Sequence, residues 1–281
     1  MDQGHYDDAK KMLVKAHDLY SEICSAVDTA VIEGDLADIY YHRGEFDRAE
    51  VIYLGQLEVF SQVNHSGKLA FIWSKLGALY FDRQEFGKAL EYFQRALDDR
   101  QTRQEFHDQA GLLGNMGAVF SRMGRPIEAM TFIQRQIELL EKTDDRQSLQ
   151  FALGNLGVLH AISGDFGKAR DLFSQQLEHS QRLGDQKGLA IAWLNLGCSE
   201  RDLGNPVAAR SYLCRADGQC RQLGNEFILC NILSEQAELS MIEGSWDEAL
   251  AINRQALEMA ECAGRVQIVQ ECRRRHKSLV R

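Results

Sequence analysis

Apolar positions along this chain recur at spacings of three and four residues. Leu153, Leu156 and His160 share one helical face, and Trp73, Leu76 and Tyr80 form the same stripe eighty residues earlier. Ala169, Leu172, Phe173, Gln176 and Leu177 make a second kind of stripe. Polar breaks separate the stripes, at Ser163-Gly164-Asp165, Gly184-Asp185, Leu203-Gly204-Asn205, Gly224-Asn225 and Thr143-Asp144. Glycine there can take the left-handed conformation that a helix C-terminus needs. The Asp or Asn that follows can cap the next helix. Pro126 and Pro206 fall just inside a helix start, where a missing N–H does no harm. The pattern predicts pairs of short helices and no strands.

The pairs repeat. Ala9, Ala49, Ala89, Ala129, Ala169, Ala209 and Ala249 lie forty residues apart without insertion or deletion. Five residues before them stand Gly4, Gly44, Gln84, Gly124, Gly164, Gly204 and Gly244. A second column reads Ala37, Gly77, Gly117, Gly157, Gly197 and Ala237. Glycine inside a helix costs about 1 kcal/mol relative to alanine, so this column is expected to let another helix approach closely. One helix pair of forty residues cannot bury its apolar face alone, but stacked copies can.

Trp73-Ser74-Lys75-Leu76-Gly77-Ala78-Leu79-Tyr80, followed later by Gly-Asp-Phe-x-x-Ala as at Gly164–Ala169, resembles the tetratricopeptide repeat. The usual period of that family is about 34 residues. The forty-residue form is similar to Pins-type polarity adaptors and kinesin light chains. It is equally similar to the repeat arms of bacterial signalling ATPases, caspase-like proteases and cyclases. The resemblance implies an all-α, right-handed superhelical solenoid whose first helices line a concave wall. On this reading residues 1–281 form one solenoid. An unpaired second-type helix covers about residues 5–22, six helix pairs cover about 27–262, and a closing helix covers about 266–278. Met12, Leu13, Ala16 and Leu19 would form an apolar stripe with a single neighbour. A shortened chain, or self-association through that first helix, would account for it.

Each first helix has a second face. In one repeat it reads Phe151, Asn155, Val158 and Ile162, at spacings of four, three and four. Elsewhere it reads Phe71-Lys75-Ala78-Asp82, Gly111-Asn115-Ala118-Arg122 and Ile191-Asn195-Cys198-Asp202. The outermost copies are Val31-Asp35-Asp38-His42 and Asn231-Glu235-Glu238-Ile242. Asn115, Asn155 and Asn195 recur in register, and an amide offers both a donor and an acceptor to an extended peptide backbone. Asparagines in matching places contact bound peptide in the kinesin light chain and Pins-type proteins. The other possibility is that these amides bond only to neighbouring helices. Phe71, Phe151, Val158, Ile162 and Ile191 would add exposed apolar surface, unless the superhelix buries them against one another. Lys75 and Arg122 are the only cations on the central stripes. That is too few for a clamp on a C-terminal carboxylate.

Charge and chemistry change this picture little. Against 32 basic residues stand 41 acidic ones, a formal net charge of −9, which disfavours nucleic acid and anionic membranes. No apolar run is long enough to span a bilayer, and the polar start Met1-Asp2-Gln3-Gly4-His5 is not that of a signal peptide. Seven cysteines without Cys-x-x-Cys spacing suit reduced thiols in the cytoplasm rather than a disulfide framework or zinc module. No phosphate loop, no His-Glu-x-x-His pair and no cofactor motif occurs. Cys198 has no histidine that sequence brings near it, so no catalytic residue is expected. The run Arg273-Arg274-Arg275-His276-Lys277 is expected to complement the dipole of the last helix. The chain thus reads as a non-catalytic scaffold that binds an extended peptide or disordered segment. Its partner would have a hydrophobic centre and basic flanks. The alternative is a regulatory or sensor arm of a larger signalling assembly whose catalytic domain lies outside this chain.

Overall fold

The computed structural model describes residues 12 and 26–279. Among them there are thirteen α-helices and no strand. First and second helices of a repeat alternate: α1 (Ala26–His42), α2 (Phe46–Gln62), α3 (Ser66–Asp82), α4 (Phe86–Thr102), α5 (Phe106–Arg122) and α6 (Pro126–Thr143). Then follow α7 (Arg146–Ile162), α8 (Phe166–Leu183), α9 (Gln186–Asp202), α10 (Pro206–Leu223), α11 (Glu226–Ile242), α12 (Trp246–Cys262) and α13 (Val266–Leu279). The helix suggested near residues 5–22 lies outside the described residues except for Met12, which is helical and exposed.

The breaks between helices follow a twenty-residue beat. Residues 44, 64, 84 and so on to 264 all have positive φ. Eight of these are glycines, and the others are Asn64, Gln84, Gln104 and Asp144. At Gly164 the geometry is a Schellman turn: its N–H donates to Ala161 O (3.0 Å), and the Asp165 N–H donates to His160 O (2.9 Å). The backbone demand is therefore the same where the sequence supplies glutamine instead of glycine. Asp145, Asp165, Asp185 and Asn225 accept the cap hydrogen bonds expected of them. Asn205 does not. Its amide donates to Glu200 instead (2.8 Å), and the helix it precedes opens on Pro206 without a side-chain cap.

The described residues fall into two compact units, one up to Leu139 and one from Leu140. In the first unit Ala37, Ala49, Tyr53, Leu76, Phe93, Leu113 and Met116 share one core. In the second, Cys220, Cys230, Ile232, Ala256 and Cys272 form the largest cluster described. The small-residue column has a definite partner. A Cβ on Gly77 would lie 2.6 Å from the Phe93 ring, and one on Gly157 would lie 2.5 Å from the Phe173 ring. The close approach is thus of a side chain on a bare stretch of helix, a ring at Gly77 and Gly157 and an aliphatic chain, Ile133 or Leu213, at Gly117 and Gly197. Gly34 and Gly154 host the amides of Gln56 and Gln176 in the same way. The Gln56 side chain donates across to Ala30 O (2.5 Å).

Candidate functional site

The two faces of each first helix separate in the folded chain. On α7, Ala152, Leu153, Leu156 and Leu159 are buried, while Phe151, Asn155, Val158 and Ile162 are exposed. On α5, Leu112, Leu113, Met116 and Val119 are buried, while Gly111, Asn115, Ala118 and Arg122 are exposed. On α3 Phe71 is exposed and Lys75 half-buried, and on α9 Ile191, Asn195 and Cys198 are half-buried. Within each unit, successive first helices touch, α3 with α5 and α7 with α9. The second face therefore continues from one repeat to the next as an open stripe.

In the first unit the stripe is aromatic and charged. Phe71 is half exposed, and the Lys75 ammonium lies 5.2 Å from its ring centroid. The same ammonium donates to Asp38 (2.8 Å), whose other oxygen accepts from the Tyr53 hydroxyl (2.5 Å). Burial, and then that hydrogen bond, push the Tyr53 hydroxyl well above the ordinary phenol range. Lys75 is thus already engaged. Arg122 lies over the ring of Phe81, 5.9 Å from its centroid. A cleft of about 230 Å³ opens between Phe71, Ser74, Gly111 and Asn115.

In the second unit the stripe begins apolar, with Phe151, Val158 and Ile162 exposed, and ends in an ionic network. Arg201 pairs with Glu235, with Asp202 (2.9 Å) and with Glu238 (3.6 Å). Arg275 also reaches Glu238 (3.3 Å) and donates to Asn253 Oδ1 (3.1 Å). The basic run on α13 is therefore partly spent within the fold, since Arg273 pairs with Glu261 (2.8 Å) as well. Only His276 and Lys277 stand in the last turn. Burial, outweighing the pull of Arg201, raises the Glu235 carboxyl above its usual value. Burial and the neighbouring Glu235 push the Cys198 thiol up, the reverse of what a nucleophile needs. Nothing in the sequence marked Arg201, and the basic run that includes Arg275 gave no sign that Arg275 reaches Glu238.

The three asparagines behave alike. Among the described residues none of Asn115, Asn155 and Asn195 makes a side-chain hydrogen bond, although other amides of the chain do. Their groups are not used as glue between helices. Among the described residues no cluster of three or more His, Cys, Asp or Glu is placed to hold a metal. No described helix is long and apolar enough to cross a membrane.

Tandem helix pairs of one period and in one register define an all-α repeat solenoid. The model of the tetratricopeptide repeat matches residues 28–102, 68–142, 108–175 and 148–216, and the chain belongs to that family. No curated protein matches the chain in sequence. Among solved structures it is similar to BtubC (BKLC) from P. vanneervenii, with 21% identity, a TM-score of 0.67, and 78% of this chain and 91% of that one covered. It is also similar to a signal-transduction ATPase with a tetratricopeptide repeat sensor from Pyrococcus horikoshii. There identity is 15% and the TM-score 0.74, over 90% of this chain but only 37% of that one. Aspartyl phosphate phosphatase F from Bacillus subtilis is similar at 16% identity and a TM-score of 0.69, over 89% of this chain and 64% of that one. At these identities the likeness is one of fold.

Proposed function

We propose that this chain is a non-catalytic interaction module whose open stripes hold an extended segment of a partner protein. The observation that carries this reading is the state of Asn115, Asn155 and Asn195. At one repeat position Asn115 and Asn155 are exposed and Asn195 is half-buried, and none of the three amides makes a hydrogen bond within the described residues. An extended strand has an unpaired donor and acceptor at every residue, which such amides match. Phe71, Phe151, Val158 and Ile162 supply the apolar contact, and Ile191 extends it. Lys75, held by Asp38, shapes the stripe more than it offers charge. Arg122 offers a cation at its edge. The partner is a protein segment, apolar at its centre, with basic residues flanking it to meet acids such as Asp35. Its setting is the cytoplasm.

The test is capture of partners by the wild-type chain and by the triple variant N115A, N155A, N195A. Specific capture should fall about tenfold while helical content is unchanged. Equal capture by both forms would sink the proposal. The second reading is a sensor arm, and the likeness to 37% of a signalling ATPase that has a tetratricopeptide repeat sensor favours it. Under that reading the captured partner would be a catalytic protein whose activity changes on binding.

A further inference from the structure

Within the first unit one position of the open stripe breaks rank. Successive first helices carry Val31, Phe71 and Gly111 at this position. Val31 and Phe71 stand exposed as apolar side chains, and on α5 there is none. A Cβ added at Gly111 meets nothing within 4 Å. The glycine is therefore not there to admit a neighbouring helix, unlike Gly77, Gly117 or Gly114, whose added Cβ atoms would strike side chains. Nor is it at a turn, since it lies inside α5, where glycine costs about 1 kcal/mol against alanine. What it leaves is the cleft of about 230 Å³ beside Phe71, floored by buried Ala70 and Leu112, with Ser74 and Asn115 at its rim.

The chemistry of the cleft selects its occupant. Its charged groups are already matched: Arg100 pairs with Glu105 and with Asp108 (3.2 Å). A charged guest would lose water and gain no free counter-charge. Small-molecule sites usually span roughly 300–1,000 Å³, so this volume suits a single side chain better than a cofactor. One wall is an aromatic ring, which favours an offset or edge-on ring against it. One turn along α5 from Gly111, the unbonded Asn115 amide is placed for the backbone that carries that ring. We infer that the Gly111 cleft is a specificity pocket for an aromatic side chain of the bound segment, seated on Phe71 where the repeat omits its own side chain. This rests on the peptide-binding reading and names the residue class that reading leaves open.

The test titrates isotope-labelled full-length protein with N-acetylphenylalaninamide, following the backbone amides of Ser74, Gly111 and Asn115. N-acetyl-leucinamide, N-acetyl-lysinamide and N-acetyl-glutamic acid amide serve as comparison probes. The phenylalanine probe should give saturable shifts at those three amides, several-fold tighter than the leucine probe and far tighter than either charged one. Gly111→Phe fills the cleft with a better helix former, and Gly111→Ala leaves most of it open. The first should weaken the phenylalanine probe at least tenfold, and the second by less than threefold. Equal response to all four probes, or a response undiminished in Gly111→Phe, overturns the pocket. Partner capture separates the two ideas. A partner lost by the triple asparagine variant but kept by Gly111→Phe overturns the pocket alone. A partner kept by both overturns the peptide reading, while the probe titration still decides the pocket.

Discussion

Two regions of this molecule are built to one plan and finished differently. The open stripe of the unit up to Leu139 keeps its ion pair at the surface, where the Lys75 and Asp38 side chains retain 31% and 32% of their exposure. The unit from Leu140 draws its pair in, with Arg201 at 14% and Glu235 at 28%. The turns differ as well. Three of the four positive-φ residues that are not glycine, Asn64, Gln84 and Gln104, are in the first unit. The second has Asp144 and then glycine at every later turn from Gly164 to Gly264. A repeat fixes where a side chain points and what its backbone must do, but it leaves the cost of each position to the local residue.

The largest break in the comparison should come from Arg201→Met. It leaves Glu235 and Glu238 side by side without the guanidinium that bridges them. Removing one partner of a fully buried pair costs about 3–5 kcal/mol. Residual exposure here brings the expected loss to about 2 kcal/mol, read by urea unfolding at pH 7. Its pH dependence has a definite sign. Burial already holds the Glu235 carboxyl above 4.5, and losing Arg201 removes the main influence that lowers it. A raised folded value means stability is fully present below the unfolded value and lost as pH rises through the folded one. The deficit of the variant should therefore be small near pH 4 and grow towards neutrality. A deficit that does not change with pH would show that lost packing, not charge, is responsible.

Next in size is a reciprocal exchange at the turns. Gly164→Gln puts a side chain where φ is +81, and Gln84→Gly removes one where φ is +61. The left-handed region costs an ordinary residue about 1–2 kcal/mol. The first change should destabilise by that amount. The second should stabilise by less than about 1 kcal/mol, because glycine also loosens the unfolded chain. Stabilisation in both directions would mean that something other than backbone strain sets the cost at these turns.

These turns also show how far the sequence could be read. The forty-residue period exposed the helix pairs, the breaks at Gly164 and Gly204, and the separation of Leu153 and Leu156 from Phe151 and Asn155. Those features repeat, and repetition is visible in a single chain. Gln84 could be placed by its register in the glycine column, but the requirement for positive φ at Gln104 was not visible, because glutamine does not advertise it. Nor was the turning of Asn205 towards Glu200, or the meeting of Arg201, Glu235, Glu238 and Arg275, which occurs once and joins three helices. The Gly111 cleft was in plain view as an exception within a column, but only the empty space around its Cα distinguishes it from the packing glycines.

The smallest effect should come from Lys75→Met. Lys75 is a cation on the central open stripe, and charge alone would make it the obvious handle for a partner. The structure gives that charge an owner, since the ammonium sits between Asp38 and the Phe71 ring. Both members of the pair remain about one-third exposed, and pairs of that kind contribute roughly 0.2–1 kcal/mol. Methionine keeps the apolar stem against Phe71, so the expected change in unfolding free energy is below about 1 kcal/mol. Asp38 keeps its hydrogen bond from Tyr53 and gains an open acceptor, which adds negative charge to the stripe. Capture of a partner with basic flanks should therefore hold steady or strengthen in Lys75→Met, and weaken in Asp38→Asn. A marked loss of capture in Lys75→Met, with stability unchanged, would mean that the lysine leaves Asp38 to meet an acidic partner.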